Sequence, residues 1–219
     1  YTFLKSGVLC MKKVLLLGDS IRMGYDKAVK KTLEGKAEVY FPEENCRFAS
    51  YLLRNTCDYR LLADNQPFDV IHWNAGLWDC LRLFGEDPHT PIDMYAYYID
   101  RVCIRLRKLY PNAKIIFATS TKVQSEKMDK DFKRYNEEIK EYNRVAVDVV
   151  KKYGFVVNDL YAVSDSLPES AHSDSVHYYT PLGTETFANA VLEHLKDALD
   201  IYEEFIYKEE LYTDVPIGI

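Results

Sequence analysis

Apolar positions in this chain fall into short unbroken runs separated by longer stretches of helical period. The run Val14-Leu15-Leu16-Leu17 is apolar at every position, as expected of a strand buried on both faces. Residues 24–35 follow with helical spacing and stop at Gly35. Residues 38–41 read as a second strand ended by Pro42, and 47–63 as a helix. Residues 70–73 form a third apolar run, followed by a long loop through Pro88 and Pro91. Residues 92–109 are helical up to Pro111. Residues 114–118 make a fourth strand, 129–152 a long charged helix and 155–157 a fifth strand. A polar loop covers about 163–180, and Pro181 opens a last helix to about Asp200.

Strands alternating with helices predict an α/β fold: a five-stranded parallel sheet covered by helices on both faces. Right-handed crossovers leave few topologies. In such open sheets ligands bind beyond the carboxyl ends of the strands, at a topological switch point.

The length of 219 residues fits one domain. Met11-Lys12-Lys13-Val14 has the form of a natural start. The expected organisation is therefore an N-terminal extension over 1–10, one domain over 11–200, and a tail over 201–219 packed on the domain or at an interface. The apolar run after Lys12-Lys13 is too short for a signal peptide, and no run approaches the ~20 apolar residues of a membrane span. A cytoplasmic protein is expected. The net charge of −6 argues against nucleic acid or an anionic membrane as main partner. Five scattered cysteines without a C-x-x-C pair read as reduced thiols. None follows a predicted strand in a Gly-rich turn, as a nucleophilic thiol would. The five histidines form no ligand cluster, so no metal is expected, and the absence of G-x-G-x-x-G and Walker A sequences argues against a nucleotide cofactor.

Three loops at predicted carboxyl ends carry candidate chemistry. Gly18-Asp19-Ser20 follows the first strand. A serine hydroxyl needs a base within hydrogen-bond reach to act as a nucleophile. At a helix start, its backbone N–H can also help hold an oxyanion. Alone, the tripeptide reads as a helix cap rather than a nucleophile. Asp174-Ser175-Val176-His177 lies just before the last helix; an Asp three residues before a His can orient the ring and leave its other nitrogen as a base. Alone, it reads as a solvated loop. Asn74-Ala75-Gly76-Leu77-Trp78-Asp79 follows the third strand and offers an amide and a Gly N–H for an oxyanion, or a plain turn.

Together these segments resemble the SGNH (GDSL-type) hydrolase family. Val14-Leu-Leu-Leu-Gly-Asp-Ser-Ile is similar to its first block, and Asp174 to Phe187 with Pro181-Leu182-Gly183 to its last. The resemblance spans about 13–200. It implies a three-layer α/β/α sandwich of flavodoxin-like topology, a triad of Ser20, His177 and Asp174, no metal, and hydrolysis of esters, often acetyl esters on carbohydrates. The middle blocks depart from the pattern. Trp78 stands where the Gly-x-Asn-Asp block has its oxyanion Asn, so Asn74 is the expected substitute, as in divergent branches with Asn-x-Gly-x-Trp-Asp. The second block offers no Gly; there Asn45 and a backbone N–H near 46–48 are candidates, beside Gly76 and Ser20.

The resulting expectation is a serine esterase for a short-chain, acetyl ester on a small molecule or carbohydrate. The alternatives are a non-catalytic flavodoxin-like binding module and a degenerate hydrolase serving as an interaction protein. A Ser20–His177 separation beyond about 4 Å favours the last. His72 reads as a core histidine, His172 as a neighbour of the base, and His89 and His194 as loop and surface residues. Arg22 and Arg47 read as solvated, with reach toward a cleft as the functional option. Trp73 and Trp78 are expected near the site, and most of the 18 tyrosines as packing.

Overall fold

The computed structural model describes residues 11–211; the expected extension over 1–10 and the end of the tail over 212–219 lie outside the described residues. The described residues begin with β1 (Lys12–Leu17), two short helices α1 (Ser20–Met23) and α2 (Asp26–Thr32), and β2 (Ala37–Tyr40). Then come α3 (Ala49–Asn55), β3 (Val70–Trp73), a two-residue β4 (Arg82–Leu83), α4 (Ile92–Leu109) and β5 (Lys114–Ala118). The last part holds β6 (Phe132–Lys133), α5 (Asn136–Lys151), β7 (Val156–Asn158), α6 (Leu160–Asp165) and α7 (Pro181–Leu199).

The main sheet is five-stranded and parallel throughout, in the order β2-β1-β3-β5-β7. β1 lies inside the sheet between β2 and β3, and residues 14–17 are 0% exposed. Each of these four side chains contributes about 1.5–3 kcal/mol by leaving water. From β1 the chain moves outward to β2, then returns past β1 to β3. Right-handed crossovers therefore place α2 and α3 on opposite faces. α2 packs with α7, while α3, α4 and α5 pack in a row. The three-layer sandwich expected from the sequence is the observed fold. The reversal of direction between β1 and β3 opens the switch-point crevice, and both Ser20 and Asn74 lie on loops at that end.

Four expected elements differ in extent. The helix expected over 24–35 is only α2, with the separate α1 ahead of it and a break at Gly24-Tyr25. A Cβ on Gly24 would come within 2.6 Å of the Tyr179 ring, so the break leaves room for that tyrosine. The helix expected over 47–63 is α3 followed by a 3₁₀ turn at Asp58–Ala63. The helix expected from 129 starts only at Asn136, because Phe132–Lys133 pairs antiparallel with β4. Asn136 then bonds Val123 in both directions, at 2.9 and 3.0 Å. The polar loop expected over about 163–180 begins only after α6, which is capped by the Asp159 side chain on the Ala162 N–H.

Arg22 is a correction: it is neither solvated nor in the cleft. It is 1% exposed, paired with Asp26 four residues on, and donates to the Glu44 carbonyl at 2.6 Å. Burial pushes the Asp26 carboxyl up to about 6, with Arg22 opposing. Trp73 is also a core residue, edge-on to Phe117 at 4.9 Å, and not part of the site. His72 is fully buried beside Asn158, and burial holds its imidazole down at about 3. In the tail, Tyr207 is 0% exposed and exchanges two backbone hydrogen bonds with the Asn189 amide on α7. No helix among the described residues is long and apolar enough to cross a membrane.

Candidate active site

Ser20 is the first residue of α1. The Asp19 side chain caps that helix by accepting from the Ile21 N–H at 3.0 Å. The cap reading and the nucleophile reading of Gly18-Asp19-Ser20 therefore divide between two residues: Asp19 caps, and the Ser20 hydroxyl is left for other work. The Ser20 Oγ lies 2.8 Å from His177 Nε2, and His177 Nδ1 lies 2.7 Å from Asp174 Oδ2. Residues 157 positions apart thus form one hydrogen-bonded chain.

The local fold explains the D-x-x-H spacing. Asp174 Oδ1 accepts from the Val176 and His177 N–H groups, at 2.7 and 2.8 Å. This tightens the loop and turns the His177 ring back onto Oδ2. Burial opposes ionisation of Asp174 most strongly, but the two N–H groups and the ring outweigh it and hold the carboxyl below its usual range. Asp174 is therefore anionic at neutral pH, and its Oδ2 accepts from Nδ1–H, leaving Nε2 to accept from the serine hydroxyl. The loop is anchored at Thr180, whose hydroxyl donates to the Ala171 carbonyl and accepts from the Gly183 N–H at the start of α7. It is tied to the β5 loop by the Gln124 N–H on the Ser175 carbonyl. His172, the neighbouring histidine, instead stacks on Tyr178 with ring centroids 3.9 Å apart.

Tyr179 is a site residue that sequence reading missed. Its ring stacks on His177 at 4.7 Å, and its hydroxyl donates to the Ser20 carbonyl at 2.6 Å. The signal was its position two residues after His177, submerged among 18 tyrosines.

The oxyanion candidates differ in their surroundings. Asn74 is 4% exposed, and its amide lies against Gly18 and Asp19. Gly76 takes φ +151°, in the region where a Cβ is strained, and a Cβ there would meet the Ser120 Oγ at 2.4 Å. The Ser20, Phe48 and Gly76 N–H groups have no acceptor among the described residues, so all three are available as donors. Asn45 uses its amide oxygen locally and keeps its NH2 group for another acceptor. Its amide oxygen accepts from the Arg47 N–H at 2.8 Å and closes its own turn. The second block's left-handed residue is Arg47, at φ 50°, where a glycine is the usual choice. The Cys46 N–H is already taken by the Gly18 carbonyl, at 3.0 Å, which docks the second block against the first.

Beneath these loops lies a set of buried polar groups. Burial raises the Asp19 carboxyl, partly offset by Asn74, the Ile21 N–H, Arg134 and His177. Asp79 accepts from the Ala49 N–H with both oxygens, at 3.0 and 3.2 Å, and burial pushes it up to about 7. It therefore joins the third block to the start of α3. Burial also raises the thiols of Cys46, Cys80 and Cys103, the last two to about 12, which keeps them un-ionised. Among the described residues no cluster of three or more His, Cys, Asp or Glu is arranged to hold a metal ion.

No protein-family model and no curated protein matches this sequence. Solved structures do match in shape. A lipase/acylhydrolase from Enterococcus faecalis superposes with a TM-score of 0.70 at 18% identity, over 89% of this chain and 100% of that one. An acetyl xylan esterase gives 0.66 at 19% identity, over 84% and 99%. A GDSL-like lipase from Parabacteroides merdae gives 0.65 at 16% identity, over 88% and 99%. The chain has the fold of these GDSL-type lipases and acetyl xylan esterases along nearly its whole length.

Proposed function

We propose that the protein is an SGNH-type serine ester hydrolase acting on a short acyl ester, acetyl above all, carried by a small molecule or a carbohydrate. The hydrogen-bonded chain Ser20–His177–Asp174 carries this reading. Ser20 Oγ attacks the ester carbonyl carbon as His177 Nε2 removes the hydroxyl proton. The carbonyl oxygen becomes an oxyanion, held by the Ser20 N–H, the Asn74 amide and the Gly76 or Phe48 N–H. The intermediate collapses, His177 returns the proton to the leaving alcohol, and the acyl group stays on Ser20. Water then attacks with His177 as base, releasing the acid and restoring the serine. Asp174 fixes the imidazole tautomer and stabilises the imidazolium.

The short acyl group is supported by the enclosed setting of Ser20, which is only 8% exposed beside the buried Gly18 loop. Carbohydrate esters are supported by the acetyl xylan esterases among the fold's relatives. The test is Ser20→Ala against p-nitrophenyl acetate and acetylated xylo-oligosaccharides. The reading expects turnover to fall to the uncatalysed background, and hydrolysis at the wild-type rate refutes it.

A further inference from the structure

Arg134 follows β6 and is 3% exposed. Its guanidinium lies over two rings, 5.1 Å from the centroid of Phe132 and 6.0 Å from that of Trp78. Nε donates to the Leu77 carbonyl, whereas Nη1 is buried with no acceptor. Arg134 forms no ion pair among the described residues; its charge acts through space on Cys80 and on Asp19, the residue before Ser20. A guanidinium stays charged in a protein, and burying it without a hydrogen-bonded anion is costly.

Two features locate this unmatched cation. It holds the loop that carries Gly76, one of the free N–H donors. It also stacks on Trp78, the residue that stands where the resembling family has an oxyanion amide. Asp19 is the acid whose charge acts on it at rest, and the proposed reaction creates a further anion beside Ser20.

We propose that Arg134 is a positioning residue of the hydrolytic site. It fixes the 76–78 loop through Leu77 and holds a positive charge beside the oxyanion pocket, offsetting the amide that Trp78 displaces. This inference rests on the serine-esterase reading. A charge near the pocket but not touching the oxyanion acts on the transition state and leaves ground-state binding nearly unchanged.

The experiment compares wild type, Arg134→Lys and Arg134→Gln in p-nitrophenyl acetate hydrolysis and in fluorophosphonate labelling of Ser20. Lys keeps the charge; Gln keeps a donor for the Leu77 carbonyl without it. Arg134→Gln is expected to lower kcat about 10- to 100-fold with KM within about threefold, and Arg134→Lys to recover most of that loss. Circular dichroism checks the fold, and Arg134→Met replaces the Gln variant if that one does not fold. A neutral variant with wild-type kcat, or a Lys variant as slow as the neutral one, overturns the proposal while a labelled, active wild type leaves the esterase reading standing. A wild type that neither hydrolyses the ester nor labels at Ser20 overturns both.

Discussion

Gly18→Ala tests how tightly the first and third loops are fitted. Gly18 does not use a left-handed backbone, so alanine meets no conformational penalty there. The obstacle is space. An added Cβ would lie 1.9 Å from the Asn74 amide oxygen and 2.9 Å from the Arg22 Cβ. Real Cβ contacts essentially never fall below 3.0 Å, so the amide has to retreat by at least 1.1 Å. Arg22 cannot yield cheaply, because its buried head is held by Asp26 and the Glu44 carbonyl. Overpacking of this kind costs about 1–3 kcal/mol of stability. A displacement of about 1 Å in a group that orients the reaction costs on the order of 10²-fold in rate, or about 2.7 kcal/mol in the barrier. The assay is kcat at saturating and kcat/KM at limiting p-nitrophenyl acetate, with urea melts of both proteins. A loss concentrated in kcat, with a lowered urea midpoint, is expected. A variant within threefold of wild type and equally stable refutes the placement of Asn74 in the oxyanion pocket.

Three further outcomes follow from the same geometry. Asp174→Asn should lower kcat by about 10²- to 10⁴-fold through loss of the imidazole's tautomer control, with little change in the urea midpoint, since Asn keeps an oxygen for the two loop N–H groups. Tyr179→Phe should cost about 1 kcal/mol of stability and several-fold in kcat, read by melts and kinetics, because it frees the Ser20 carbonyl but keeps the stack on His177. The Asp79 contribution to stability should fall as pH rises from about 4 to 7, opposed by buried His72, which is held down at about 3 and contributes with the opposite sign up to its usual value of 6.5. Asp79, raised to about 7, holds its proton in the folded state after the unfolded chain has released it, so its contribution is full below its usual value of 3.8 and is lost through about 7. The gap is worth about 4 kcal/mol by linkage, to an order of magnitude. Asp26, raised to about 6, adds the same sign as Asp79, and Asp79→Asn should make the slope of stability against pH, measured by urea titration, more positive than in the wild type between about 4 and 7.

The strand–helix order and the parallel sheet were legible because period and apolar runs report burial directly. Val14 to Leu17 and Val70 to Trp73 are strands where the runs lie. The pairing of Ser20 with Asp174 and His177 was legible because each motif is local and each has a definite chemical meaning. What escaped depends on contacts distant in sequence. Nothing near Arg22 announces that Glu44 will cover it, and nothing near Phe132 announces β4 as its partner. Arg134 reads as one more charge on a charged helix until β6 pulls it out and Trp78 stacks on it. Tyr179 was hidden by the abundance of tyrosine rather than by distance.

The central claim is that Ser20 is a nucleophile activated by His177. Mass spectrometry of the protein after reaction with a fluorophosphonate, in wild type and in His177→Ala, addresses it directly. The account predicts one adduct in the wild type, on the peptide carrying Gly18-Asp19-Ser20, and labelling slowed at least about 10²-fold in the variant. An unlabelled wild type, an adduct on another residue, or equal labelling of both proteins contradicts it.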